Sequence, residues 1–528
     1  MGEGALNLNR RGLLLGTAAG LLGCRPEAAA LEGGWVGAAH GRGHRLRELK
    51  SGALPAPQAQ HRAQVLILGA GVSGLAAARG FARAGVSDAQ LLELEDQAGG
   101  NSRGHQIGGL RCPLGAHYLP LPGEQAPEVV ELLEELGLSR LESGRRVYDE
   151  RHLCHSPQER LFYQGAWVEG LLPPAEGDAA TLAQYRRFAR LVEQVRTELS
   201  FAMPSLRARD SAGRARLDAM PFAQWLQAQG LVDAKLRWYL DYCCRDDYGA
   251  GTETVSAWAG LHYFASRHGF HPPGDESEPE PVLTWPEGNA WLTERLAVPQ
   301  RERLHSGMTV LQVDEQRHQV EVLVWNEKAQ RVEQWTAQTV VFALPLFIAA
   351  RLLRSPLPAL HSAAAKMRYA PWLVANLRLR EPLLQRIGAA PAWDNVAYAG
   401  GATALGYVDA SHQGLQPQAG PTVLTAYHAL PAAQRGDLLS QPWSAWAGRV
   451  MADLRGMHPD LPAKTERVDL MRYGHAMSIP VPGLHTDAAL QALSALRGRL
   501  RFAHADLAGY SVFEEAFCRG MAVAEKRS

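Results

Sequence analysis

The chain reads as an α/β protein: a Rossmann-like nucleotide-binding domain built on a parallel sheet, completed by distant segments, with an α+β domain inserted into it. Three observations predict this. Residues 65–104 run strand, glycine turn, helix, strand, acidic residue, second glycine turn. Residues 308–345 alternate in short β-like runs that end in one buried strand, as expected for a small antiparallel meander returning to the sheet. Between them, a helix-rich stretch with apolar positions at helical spacing is long enough to form a domain of its own.

The opening unit begins with the apolar run Val65-Leu66-Ile67-Leu68, followed by Gly69-Ala70-Gly71-Val72-Ser73-Gly74. Gly69 lets the chain turn off the strand, Gly71 lets a pyrophosphate approach the backbone, and Gly74 lets the helix pack on the sheet. The helix start at Val72 and Ser73 offers unpaired N–H groups and a partial positive charge. Glu93, followed by Leu94, lies 19 residues past Gly74 at the end of the next strand. A carboxylate there accepts the ribose hydroxyls of an adenosine. This unit alone fits NAD and FAD equally.

Composition narrows the function classes. At 528 residues the chain holds two or three domains. Lys+Arg and Asp+Glu both number 54, so no overall basic field favours nucleic acid. No 18-residue uncharged apolar run is present to cross a bilayer. The six cysteines form no C-x-x-C pair, and no metal-ligand cluster, P-loop or Ser-His-Asp order stands at a convincing spacing. Buried free thiols and no metal are the expectation.

The N-terminus reads as a targeting segment over residues 1–30. Arg10-Arg11 precede an apolar stretch, 13–23, too short to span a membrane. The paired arginines are of the twin-arginine type. Leu21-Leu22-Gly23-Cys24 looks like a bacterial lipoprotein box, in which Cys24 carries the lipid anchor; cleavage after Ala30 is the rival. The expectation is an exported envelope protein of the periplasm. Residues 31–62 read as a linker.

Further along, helices are expected over 126–136 and from Asp178 onward, a strand pair over 151–168, and more helix to about residue 265 with Trp225, Trp238, Tyr239 and Tyr242. A second α+β stretch runs to about residue 469. The tail carries Asp506, then Glu515-Ala516 and a final helix. The expected division is 62–160, 281–345 and 470–528 for the nucleotide domain, and 161–280 and 346–469 for the substrate domain.

In this order the pieces resemble the flavin-containing amine oxidase superfamily, which includes phytoene-desaturase-like enzymes, over about residues 62–528. Gly69, Gly71, Gly74 and Glu93 are similar to its FAD ADP-binding unit. Gly99-Gly100 are similar to its second glycine pair, with Asn101, Ser102 and Arg103 following. Val310 opens the run whose backbone meets the adenine in such enzymes, and Asp506 looks like the carboxylate that binds the ribityl chain. The Gly115-Ala116-His117 turn falls where such enzymes place the flavin. The resemblance implies FAD rather than NAD, because it alone accounts for Gly99-Gly100 together with Asp506. There are departures. Many members have Gly-Gly-Arg, where Asn101 stands here. Many amine oxidases place a lysine near the flavin on a strand comparable to 373–379, which has none; Val374 is the nearest match.

What such a flavin site requires of the protein is orientation, electrostatics and exclusion of water. His475, in Tyr473-Gly474-His475, and His117 are candidate proton acceptors near neutral pH. Trp393, Asp394, Tyr407 and His412 are candidates to line the substrate cavity, with Asp394 a third candidate for chemistry. The leading expectation is hydride transfer from a small-molecule amine, a polyamine among them, with oxygen or a quinone as acceptor. The alternatives are a desaturase or isomerase of a lipophilic polyene-like substrate, and a non-catalytic flavin-binding envelope protein. An acidic-lined tunnel favours the amine; a wide apolar one favours the lipid.

Overall fold

The computed structural model describes residues 31–49, 54–275, 280–413 and 420–525. The paired arginines and Cys24 lie outside the described residues. Two large sheets organise the molecule. The nucleotide sheet places Leu304–Ser306, Ala89–Glu93, Ala59–Leu68, Arg331–Phe342 and Leu500–Phe502 side by side in parallel. Arg331–Phe342 serves twice: its first half also closes an antiparallel meander with Val320–Asn326 and Met308–Glu315.

The opening strand is apolar at consecutive positions because both of its faces are covered. Val65 and Ile67 pack under helix Val72–Arg83 and the final helix Phe513–Ala522. Leu66 and Leu68 face the other way, into the meander and helices Leu346–Leu352 and Pro358–Lys366. Helices Val72–Arg83 and Phe513–Ala522 meet closely: a Cβ on Gly520 would lie 2.3 Å from the Ser73 carbonyl oxygen. Segments more than four hundred residues apart are thereby joined on one face of the sheet.

The second sheet has eight strands, ordered Glu32–Trp35, Thr465–Ser478, Tyr369–Leu379, Thr422–Ala429, Ala404–Asp409, Asp394–Ala397, Glu159–Tyr163 and Ala166–Glu169. The strand period of two divides its side chains. Leu373, Ala375 and Leu377 pack against helix Trp443–Arg455, while Trp372 and Val374 face helices Ala179–Glu198, Ala234–Tyr248 and Ala257–Tyr263. Asp178 caps the first of these, its side chain accepting from the Thr181 amide.

Several expected boundaries shift. Residues 31–62 are not a plain linker: Glu32–Trp35 adds a parallel edge strand to the second sheet, His40–Leu49 is a helix, and the opening strand starts at Ala59. Edge pairing through main-chain hydrogen bonds is satisfied by a Gly-rich strand that carries almost no hydrophobic signal. Residues 470–478 belong to the second sheet, as does Glu159, whereas helices 346–352 and 358–366 bury their apolar faces in the nucleotide domain.

Candidate active site

The two glycine turns form one cradle. Gly69 has φ +98°, and a Cβ there would meet the Ala343 carbonyl oxygen at 2.6 Å. A Cβ on Gly74 would lie 1.9 Å from the Gly69 oxygen, so Gly74 is required for the helix to start where it does. Gly71 bridges to Gly99, and the Gly99 amide donates to the Ala70 carbonyl at 2.8 Å. Glu93 is buried at the end of its strand, accepting from the Ala70 amide at 2.7 Å and the Glu95 amide at 2.9 Å. Burial raises its pKa against the pull of those two amides.

The cradle continues into the Gly115 turn. The Ala116 amide donates to the Asn101 carbonyl at 2.9 Å, and a Cβ on Gly115 would meet that same oxygen at 2.2 Å. The Asn101 side-chain amide donates to the Ala476 carbonyl. Ser102 is buried, with its carbonyl accepting from the Thr293 hydroxyl. Arg103 donates to the Gly100 and Gly37 carbonyls. At the far side lies Asp506, fully buried. It accepts from the Tyr369 hydroxyl at 2.6 Å and the Leu346 amide at 2.9 Å. Burial opposes its ionisation, but His504 and these hydrogen bonds outweigh it and hold the pKa below the ordinary range.

Beyond the turn the second sheet packs against helices Ala179–Glu198, Ala234–Tyr248 and Ala257–Tyr263, and partly exposed side chains along that junction mark the candidate substrate cleft. His117 stacks on Tyr427 (4.4 Å between ring centres) and touches Trp393 and Tyr118. Desolvation lowers the His117 pKa to about 4, so the ring is neutral near pH 7. Trp238 meets Tyr242 and Tyr398, and Tyr398 meets Tyr163, which carries the aromatic lining outward.

Three half-buried carboxylates stand in this lining. Asp394 and Glu159 are register partners on adjacent parallel strands, so their side chains leave the same face of the sheet. Asp246 lies one helical turn after Tyr242, whose hydroxyl is 3.5 Å from Asp394 Oδ2. Burial, then the charges of Glu159 and Asp246, push the Asp394 pKa well above the carboxylate range. Burial raises Glu159 to about 7. Asp246 is raised to about 7 by burial and by Asp247 and Glu159. Among the described residues, no lysine, arginine or histidine forms an ion pair with any of the three. Asp247, by contrast, is paired with Arg267, which also reaches Glu514. A separate surface cavity of about 380 Å³, lined by Arg151, His152, Trp285 and Trp291 among others, lies outside this cleft.

A family model described as flavin containing amine oxidoreductase matches residues 72–526. The chain belongs to that family. It is an FAD-dependent oxidoreductase of mixed α/β fold. Among solved structures it is similar to a putrescine oxidase double mutant (TM-score 0.66, 17% identity, 88% of this chain and 98% of that one). Cyclohexylamine oxidase from Brevibacterium oxydans IH-35A matches at TM-score 0.64 and 16% identity over 88% and 98% of the two chains. A fatty acid isomerase from P. acnes matches at 0.59 and 14%, over 87% and 97%. No curated protein matches the chain in sequence.

The residues present fit FAD. Along otherwise buried segments, Gly69, Gly71, Gly100, Gly115, Ala116, Val310, Val512 and Ala516 stay partly exposed, giving a groove floored by backbone and small side chains. Asp506 Oδ1 is buried without a hydrogen bond, 3.2 Å from His504 Nδ1, and would be free to accept from a ribityl hydroxyl. Val72, Ser73 and Gly74 are buried beneath this floor and contribute their helix start. Leu94 gives its carbonyl to Arg42.

Other expected residues fall elsewhere in the oxidoreductase. Glu515 is turned inward, held by Arg519, the Tyr510 hydroxyl and the Ser205 amide. His475 is exposed beside Phe347 and Tyr369. Tyr407 belongs to the opposite face of its sheet, where its hydroxyl bonds His458 at 2.7 Å. His412 bonds the His155 carbonyl. Val374 is buried at the same junction, and none of the four described lysines stands beside it: Lys235 is at the outer rim of the aromatic lining, near Asp178 and 5.8 Å from the Tyr163 ring, Lys328 is near Ser306, Lys366 at Asp487 and Lys464 at Asp460.

Sequence reasoning missed Glu159, Asp246 and Tyr427. Glu159 sits on a short edge hairpin and Asp246 in a run of charges, and both patterns read as solvated surface. The available signal was the helical spacing of Trp238, Tyr242 and Asp246, which puts an acid on an aromatic face.

Proposed function

We propose that this oxidoreductase oxidises a cationic small-molecule amine with more than one nitrogen, a di- or polyamine, and that it does so in the bacterial envelope. The observation that carries this is the cluster of three half-buried carboxylates with which, among the described residues, no cation of the chain forms an ion pair. Unpaired carboxylates facing a desolvated space are costly, and their raised pKa values record that cost. An ammonium group entering the cleft restores their ionisation and gains charge-assisted hydrogen bonds. The aromatic walls supply the rest, since ring faces attract cations and cover methylene segments.

FAD, which the Gly69, Gly71 and Gly115 turns and Asp506 would hold, would supply the hydride-accepting chemistry for the carbon beside the amine nitrogen. The chain's own residues orient and exclude. Glu159 and Asp246 hold a distal ammonium. Trp393, Tyr427 and His117 form the wall next to the Gly115 turn and shield it from water. Burial and the neighbouring Glu159 and Asp246 charges disfavour the ionised form of Asp394, and an arriving cation offsets that penalty. Desolvation makes His117 too weak a base to deprotonate an alkylammonium, so it serves as a neutral wall of the site rather than the proton acceptor expected from sequence, and the reacting nitrogen must arrive uncharged. The solved neighbours include a putrescine oxidase bound to putrescine, which supports the reading. The lipophilic alternative would leave Asp394, Glu159 and Asp246 uncompensated.

Export rests on Arg10-Arg11, and membrane anchoring on Cys24. Labelling of the membrane fraction with a palmitate analogue is expected to vanish in Cys24→Ala; labelling that persists would rule out the anchor. The functional reading is tested by titrating the holoprotein with spermidine, putrescine and benzylamine. Tighter binding of the multiply charged amines supports it, and equal or weaker binding of them than of benzylamine contradicts it.

A further inference from the structure

The segment before the opening strand takes part in the fold in a way its composition does not announce. Glu32–Trp35 pairs in parallel with Arg467–Leu470 at the edge of the second sheet. The chain then crosses between the two domains at Gly37. This residue has φ +87°, and a Cβ there would lie 2.7 Å from Met471 Sδ and 2.9 Å from Leu114 Cδ1. The crossing is therefore tight and needs glycine. From there the arm runs onto the turn that follows Glu93.

Each residue of that turn is held by the arm. The Ala39 amide donates to both oxygens of Glu95, at 3.2 and 3.0 Å. Arg42 donates to the Leu94 carbonyl at 3.0 Å and pairs with Asp96 at 2.9 Å. Arg103, beside the second glycine pair, bridges the Gly100 carbonyl, the Gly37 carbonyl and the Glu95 carboxylate. Arg45 closes the far end on Glu327 at 2.7 Å, over the Trp325 ring of the meander.

The charge pattern gives these contacts a purpose. The sequence Glu93-Leu94-Glu95-Asp96 puts three carboxylates at the nucleotide end of a groove that must receive a diphosphate. Glu93 has its own task at the ribose. Glu95 and Asp96 do not, and uncompensated they would repel the diphosphate through a partly desolvated medium. Arg42, the Ala39 amide and Arg103 compensate them.

We propose that residues 32–45 form a strap belonging to the cofactor site, which neutralises the acidic turn after Glu93 and slows release of FAD. The proposal rests on FAD being the cofactor. It assigns Arg42 and Gly37 as positioning residues for the turn.

The test is the rate of flavin release from full-length holoprotein, followed by the rise in free FAD fluorescence. Gly37→Val undocks the arm and is expected to speed release at least tenfold at low salt, with the difference from wild type narrowing at high salt as the repulsion is screened. Adding Glu95→Gln to Gly37→Val is expected to recover most of the loss, a rescue that a purely architectural arm would not give. Arg42→Ala, which leaves the crossing intact, is expected to move release in the same direction by a smaller factor. Wild-type release rates in both Gly37→Val and Arg42→Ala overturn the strap, as does a Glu95→Gln addition that recovers nothing. A wild-type chain that retains no flavin overturns the cofactor assignment and the strap with it.

Discussion

At the scale of single residues, the argument turns on Glu159, Asp246 and Asp394. Each is a carboxylate that the fold keeps protonated further up the pH scale than its unfolded counterpart. The linkage has a definite sign. Between the ordinary carboxylate range and about pH 7, the folded chain binds more protons at Glu159 and Asp246 than the unfolded chain does, so their contribution to stability falls as pH rises through that window. A bound cation favours the ionised form. The upward shift in Tm produced by saturating spermidine is therefore expected to be larger at pH 8 than at pH 6, and a shift that shrinks with pH would contradict the charge assignment. Asp394→Asn keeps the shape and removes the charge. It is expected to raise KM for a diamine about tenfold or more, on the order of 1.5–3 kcal/mol for a lost charged hydrogen bond, with a smaller effect on a monoamine. Asp506 has the opposite sign. Its depressed pKa contributes stability above the ordinary carboxylate range that is lost as pH falls through its folded value.

At the scale of elements, turns carry the cofactor site, and strands together with helix Ala234–Tyr248 carry the candidate substrate site. Gly69, Gly74 and Gly115 each sit where a Cβ would meet a main-chain oxygen closer than 3 Å. Gly115→Val is expected to separate this turn from Asn101 and to reduce FAD retention at least tenfold. Near-ultraviolet circular dichroism and flavin absorbance, measured on the same sample, separate loss of cofactor from loss of fold. These turns were legible in the sequence because a tight strand-to-helix turn under a phosphate demands glycine at fixed positions, and little else does so directly after an apolar run. The meander and the Asp178 cap were legible for similar local reasons. The edge strand Glu32–Trp35 was not, since it is specified by the exposed edge of Thr465–Ser478 rather than by its own residues. Tyr407 was misplaced because one residue along a strand reverses the face, and sequence alone did not fix which of Tyr407 and Val408 looks inward.

At the scale of the whole molecule, the nucleotide sheet joins residues near both ends of the chain, while the cleft is formed where the second sheet meets the helices. Asp394 and Glu159 become neighbours only through parallel pairing of strands more than two hundred residues apart, and Asp246 reaches them from a helix. No local pattern encodes that meeting, which is why the fold and the cofactor were readable earlier than the substrate. The central claim is that this meeting selects a multiply charged amine as the reductant of the bound flavin. Its most direct test is anaerobic mixing of the holoprotein with putrescine, spermidine, a monoamine and a polyunsaturated fatty acid, following the flavin absorbance. The account predicts bleaching by the di- or polyamine that is lost or strongly slowed in Asp394→Asn; bleaching by none of the amines, or by the fatty acid alone, would contradict it.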